Sequence, residues 1–93
     1  MSRITIVGLG LIGTSLGLAL RHSNPNNIEL VGCDVERVAA IRCLKKKAVH
    51  KIEPHLPTAV RGADMVIIAT PMMAMKDVLQ EISPHLADNT IVT

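Results

Sequence analysis

The sequence predicts an α/β domain, a doubly wound parallel sheet of about five strands with helices on both faces. Three observations carry this. Short β-branched runs alternate with helix-length amphipathic segments along the whole chain. The run Met65-Val66-Ile67-Ile68-Ala69 is apolar throughout, as a strand buried on both faces requires. The first such run passes directly into closely spaced glycines. With 93 residues the chain makes one domain, 1–93, and this alternation joins parallel strands by right-handed crossovers.

Taken in order, Ile4 to Val7 reads as the first strand and Leu11 to His22 as a helix without internal proline. The cluster Ser23-Asn24-Pro25-Asn26-Asn27 is a turn, and Ile28 to Cys33 is the second strand. From Val35 onward Val38, Ile41 and Leu44 recur at threes between charged residues, which predicts a helix with those three as its apolar face. Ala48 to Gly62 reads as a short strand near Val49 and Ile52, a loop through Pro54 and Pro57, and one helical turn over Thr58 to Arg61. The buried strand over Met65 to Ala69 follows. Thr70-Pro71 then supplies an N-cap and a proline at the first helical position. Met75, Val78, Leu79, Ile82 and Leu86 form the apolar face of that helix, Pro84 marks its end, and Asn89 to Thr93 has strand composition.

Composition excludes several classes of function. The chain has no Phe, Tyr or Trp, so the ring stacking used by single-stranded nucleic-acid readers is absent, and a formal charge of +2 is too small for a phosphate-backbone binder. The run Lys45-Lys46-Lys47 falls where a helix should end, a place that favours cations. Cys33 and Cys43 form neither a metal pair nor a disulfide framework, and His22, His50, His55 and His85 lack ligand spacing, so no metal site is expected. Buried thiols fit a reducing, cytoplasmic compartment.

Residues 4–20 hold no charge but include four glycines, too short and too glycine-rich for a membrane span, and Ala19-Leu20-Arg21 is no signal-peptidase site. Gly8, Gly10 and Gly13 instead form G-x-G-x-x-G between a strand and a helix. In that arrangement Gly8 permits the tight turn, Gly10 lets a pyrophosphate approach the backbone, and Gly13 lets the helix pack closely. Free N–H groups around Leu11 and Ile12 would hold phosphate oxygens. No G-K-[ST] follows, which argues against a nucleotide hydrolase. Asp34, twenty-one residues past Gly13 at the end of the second strand, is placed to accept both adenosine ribose hydroxyls. It would repel a 2′-phosphate by roughly 4 kcal/mol at ~4 Å and an effective dielectric near 20. NAD is therefore preferred over NADP, although Arg37 offsets part of that repulsion. Asp34 is also expected to cap a helix starting at Val35.

The phrases "IVGLGLIGTSLGLALR", "VGCDVER", "ADMVIIATPM" and "ISPHLADNTIVT" together resemble the Rossmann-type nucleotide domain of the prephenate and arogenate dehydrogenases of tyrosine biosynthesis, over nearly the whole chain. The β-hydroxyacid dehydrogenases differ in usually carrying methionine where this chain has Ile12. The resemblance implies an NAD(P)-dependent oxidative decarboxylation. It places Gly8, Leu9, Gly10, Leu11, Ile12 and Gly13 at the pyrophosphate, Asp34 at the adenosine ribose, and Ala69, Thr70 and Pro71 beside the nicotinamide. In that family the strand matching Ile91-Val92-Thr93 continues into a segment with a catalytic histidine and a helical domain that binds substrate and forms the homodimer. The expectation is thus a cofactor-binding portion truncated after the fifth strand, with no catalytic residue assigned. A nucleotide-sensing regulatory module and another oxidoreductase, such as an imino-acid reductase, are the competing readings. The sensors usually carry arginine where this chain has Leu11.

Overall fold

The computed structural model describes residues 2–23, 26–70, 72–87 and 90–93. Strands β1 (Ser2–Val7), β2 (Ile28–Cys33), β3 (Lys51–Ile52), β4 (Met65–Ile68) and β5 (Ile91–Val92) form one parallel sheet in the order β3-β2-β1-β4-β5. Helices α1 (Leu11–Ser23), α2 (Arg37–Lys45), α3 (Leu56–Val60) and α4 (Met72–Ile82) link them, and a 3₁₀ turn at Ser83–His85 carries Pro84. The doubly wound sheet is the one the alternation predicts. Winding runs outward from β1 to β3 and then returns to β4, so strand order reverses at β1, where open α/β sheets bind their ligands.

Alternation along the central strands divides the core between two faces. Ile4, Ile6, Ile28 and Leu30 pack with Ala40, Cys43, Ala48 and Val49 on the side of α1 and α2. Val7 and Val66 pack with Val60, Ala63 and Ile82 on the side of α3 and α4. Thr5 is the buried polar residue in this sheet, and its hydroxyl donates to the Ala59 carbonyl at 2.6 Å, which ties β1 to α3.

Register brings the strand ends level. Val7 stands opposite both Cys33 and Ile68, so Gly8, Asp34 and Ala69 leave the sheet in one row. Two further ladder bonds close it: Gly8 N–H donates to the Cys33 carbonyl at 2.8 Å and Ala69 N–H to the Val7 carbonyl at 2.7 Å. At the opposite end Asp64 joins three strands. Its carboxylate accepts the Arg3 N–H at 2.8 Å, its own N–H donates to the Arg3 carbonyl at 2.8 Å, and its carbonyl accepts the Ile91 N–H at 3.0 Å.

Several sequence expectations are corrected. The apolar row Val38-Ile41-Leu44 is not the packed face of α2; Val38 is 63 % exposed, while Ala39, Ala40 and Cys43 face the core. Small side chains let α2 lie close against the sheet, and the larger ones are left outside. In α1 the buried residues are Gly13 and Gly17: Gly13 lies against the Gly8 carbonyl and the Ile6 side chain of β1, the close packing its place in the motif requires, whereas Gly17 lies against the Ala48 carbonyl. In α4, Val78, Ile82 and the following Leu86 pack inward, whereas Leu79 is exposed. α2 begins at Arg37, and its N-cap is Glu36 without a side-chain bond, so Asp34 is not that cap.

The lysine run does close α2, as the charge pattern anticipates. Lys46, Lys47 and Ala48 donate backbone bonds to the carbonyls of Arg42, Leu44 and Cys43, with Lys47 at a left-handed φ of 61°. The Arg21 guanidinium donates to the Lys47 carbonyl at 2.8 Å. β3 is only two residues long, and His50 extends it by side chain: its Nδ1 accepts the Leu30 N–H at 2.9 Å.

Candidate functional site

Above the row formed by Gly8, Asp34 and Ala69 lies a cavity of about 960 Å³. Its centre is the turn after β1, contributed by Gly8, Gly10, Leu11 and Ile12. One flank is the end of β2 with the β3–α3 loop, bringing Cys33, Asp34, Val35, Pro54 and His55. The other flank is Ala69, Thr70 and, from α4, Val78 and Glu81. Parallel strands put all these loops at one edge, which is why residues far apart in sequence meet here.

Each glycine of the motif meets a different demand. Gly8 sits at φ +99°, and a Cβ there would lie 2.8 Å from the Ala69 backbone, so the turn closes against the end of β4. Gly13 is shut by the Gly8 carbonyl. Gly10 is different: beyond its chain neighbours no described residue lies within 4 Å of where its Cβ would be, and Gly10 itself lines the cavity. The first intrahelical bond of α1 runs from Thr14 N–H to the Gly10 carbonyl at 3.0 Å. The N–H groups of Leu11, Ile12 and Gly13 thus precede the helical ladder and are available to an anion, with the helix dipole behind them.

Asp34 is fixed by two backbone bonds. Oδ2 accepts the Leu9 N–H at 2.6 Å and Oδ1 accepts the Glu36 N–H at 2.8 Å. An ionised carboxylate offers about four acceptor positions, so roughly two remain for hydroxyl donors in the cavity. Leu9 has a structural part in this. Its side chain is buried over Gly32, where a Cβ would come within 2.9 Å of Leu9 Cδ1, and this anchors the turn while its N–H reaches Asp34.

Of the residues singled out in the sequence, Gly8, Gly10, Leu11, Ile12, Asp34, Ala69 and Thr70 line the cavity. Leu9 and Gly13 support it from behind, and the exposed Arg37 is not among its lining residues. Pro71 lies outside the described residues, and with it the proline-initiated start of α4. The sequence reading missed Cys33, Val35, Pro54, His55, Val78 and Glu81. Knowing that β3 lies beside β2 would have found the loop residues, but a two-residue strand leaves almost no periodic signal.

Two polar groups in the lining set the site's chemistry. Burial, with the negative charges of Asp34, Glu53 and Glu81, pushes the Cys33 thiol up to about 11. At neutral pH it is a small uncharged part of the wall, not a nucleophile. Thr70 Oγ1 is buried without a hydrogen-bond partner among the described residues, on the flank away from Asp34. A buried hydroxyl left unpaired is costly, so this flank suits a ligand that brings a polar group to it. The open face of Gly10, the unspent acceptors of Asp34 and the orphaned Thr70 hydroxyl together fit a diphosphate with a vicinal diol on one side and a polar ring on the other.

Comparison with known proteins gives the family and supports the fold. The family described as "NADP oxidoreductase coenzyme F420-dependent" matches residues 3–93. A prephenate dehydrogenase from Lactococcus lactis subsp. cremoris is 32 % identical over 94 residues, which take in 100 % of this chain and 26 % of that protein. A glycerol-3-phosphate dehydrogenase [NAD(P)+] from Agrobacterium fabrum is 28 % identical, over 97 % of this chain and 30 % of its own. Among solved structures, the arogenate dehydrogenase of Synechocystis superposes with a TM-score of 0.86 at 28 % identity, over 97 % of this chain and 31 % of that one. The chain therefore spans between a quarter and a third of the length of these three relatives.

Proposed function

The chain belongs to the family described as "NADP oxidoreductase coenzyme F420-dependent", as a dinucleotide-binding Rossmann domain, and on that premise we propose that it is the cofactor-binding unit of a prephenate- or arogenate-type dehydrogenase that uses NAD. The observation that carries the cofactor assignment is one juxtaposition: the open face of Gly10, the unladdered N–H groups of α1 and the Asp34 carboxylate share one cavity. A bound dinucleotide would supply the hydride acceptor.

In this reading the α1 N-terminus holds the pyrophosphate, Asp34 takes the adenosine ribose hydroxyls, and Ala69 with Thr70 orients the nicotinamide half. NAD is favoured over NADP because the charged residues lining the cavity at the end of β2 are the acids Asp34 and Glu36, and Arg37 is not in the lining. The substrate-binding chemistry, an oxidative decarboxylation serving tyrosine biosynthesis, and the homodimer contacts would belong to parts of such a cytoplasmic enzyme beyond these 93 residues. A second reading, a dehydrogenase of another substrate class, is favoured by the match to glycerol-3-phosphate dehydrogenase. Both readings share the cofactor site.

The site is tested by calorimetric titration of the folded chain with NADH, since the chain has no Trp or Tyr to report by fluorescence. Saturable binding is expected; a folded chain that leaves NADH unbound contradicts the assignment. The substrate is tested by assaying an enzyme that carries this domain with prephenate, arogenate and glycerol 3-phosphate in turn. Turnover of either cyclohexadienyl substrate supports the first reading, and turnover of glycerol 3-phosphate alone supports the second.

A further inference from the structure

Strand order fixes which way a dinucleotide lies across the sheet. With the pyrophosphate at the turn after β1 and one ribose at Asp34 on β2, the base on that ribose continues away from β1, toward β3. There the chain emerges as Glu53-Pro54-His55, and Pro54, His55 and the fully exposed Val35 line that end of the cavity.

His55 is held firmly. Its N–H donates to Glu53 Oε1 at 3.0 Å, its carbonyl accepts the Ala59 N–H at 2.9 Å, and its ring Nδ1 lies 2.7 Å from Thr58 Oγ1. Although His55 occupies the N-cap position of α3, its side chain makes no capping bond. The imidazole is thus anchored at one edge, and its face and Nε2 have no hydrogen-bond partner among the described residues. The chain contains no Phe, Tyr or Trp, and of its four histidines only His55 lines this cavity among the described residues.

We propose that the imidazole of His55, steadied by Thr58, is the platform against which the purine base of the dinucleotide stacks. This rests on the cofactor reading given above and adds a specificity-determining contact for the adenosine half.

Proton NMR is suited to the test, because the only aromatic side-chain signals of this protein come from its four histidines. On titration with ADP-ribose, one histidine ring is expected to shift upfield, and that ring should be missing from the spectrum of His55→Phe. By calorimetry His55→Ala should weaken ADP-ribose binding about tenfold, the order expected for losing a base-stacking partner. His55→Phe, which keeps a flat face, should stay near the unsubstituted chain, and circular dichroism checks that both variants fold. If ADP-ribose binds in an Asp34-dependent way while no histidine ring shifts and His55→Ala binds normally, the platform is wrong and the cofactor site stands. If the folded, unsubstituted chain does not bind ADP-ribose at all, both fall.

Discussion

The carboxylate of Asp34 accepts the backbone N–H of Leu9 at 2.6 Å, so the residue proposed to hold the ribose also fastens the glycine turn proposed to hold the phosphates. Removing the carboxylate should cost stability as well as affinity. Asp34→Ala leaves the Leu9 and Glu36 N–H groups without their acceptor and should destabilise the fold by about 1–3 kcal/mol. Asp34→Asn, which keeps an acceptor oxygen, should lose less. Urea denaturation followed by circular dichroism measures both.

Gly10 and Gly13 are three residues apart and should respond in opposite ways to the same change. Gly10→Ala adds a methyl group to open space and should leave stability within about 0.5 kcal/mol of the original, while crowding the pyrophosphate position and weakening NADH binding. Gly13→Ala drives a Cβ into the Gly8 carbonyl and should unfold or badly destabilise the chain. Thermal melts and calorimetry on the pair separate a binding role from a packing role.

Lys47 closes α2 at a φ of 61°, a conformation that costs an L residue energy and costs glycine little. Lys47→Gly should therefore raise stability by about 0.5–1 kcal/mol, with no effect on NADH binding. A lower midpoint of urea denaturation would show that the lysine side chain contributes more than its backbone conformation costs.

The Cys33 thiol gives an alkaline signature. Its value rises from 9.0 in an unstructured chain to about 11 when folded, so between these limits the folded state binds more protons than the unfolded one and stability falls as pH rises. Below pH 9 the contribution is intact. Cys33→Ala should flatten the loss between pH 9 and 11 relative to the original chain, and the native thiol should react slowly with alkylating reagents at pH 7.5. On the acid side, the Arg3 guanidinium hydrogen-bonded at 2.7 Å lowers the Glu29 carboxyl. That contribution is lost as pH falls through the depressed carboxyl value; the pair is about a third exposed, so the loss should be small.

Elements with strong periodicity are legible in the sequence itself: the β-branched runs at β1 and β2, the wholly apolar β4, and the glycine turn with Asp34 beyond it. Their signals are local, because each reflects the burial of its own residues. The α2 face is not legible in the same way, because spacing alone favours Val38, Ile41 and Leu44, while the close approach to the sheet selects Ala39, Ala40 and Cys43. His55 and Cys33 escaped notice as site residues for a different reason. Their place in the cavity depends on β3 lying beside β2, a relationship carried by two residues of strand and by the ring of His50 standing in for backbone.

Paired calorimetric titrations of NADH and NADPH against the original chain and Asp34→Ala, with folding checked by circular dichroism, test the cofactor site most directly. Asp34 as the ribose acceptor requires NADH to bind at least about tenfold more tightly than NADPH to the original chain, as repulsion of a 2′-phosphate demands, and requires Asp34→Ala to lose that difference. Equal or inverted preference in the original chain, or a preference untouched by Asp34→Ala, would contradict it.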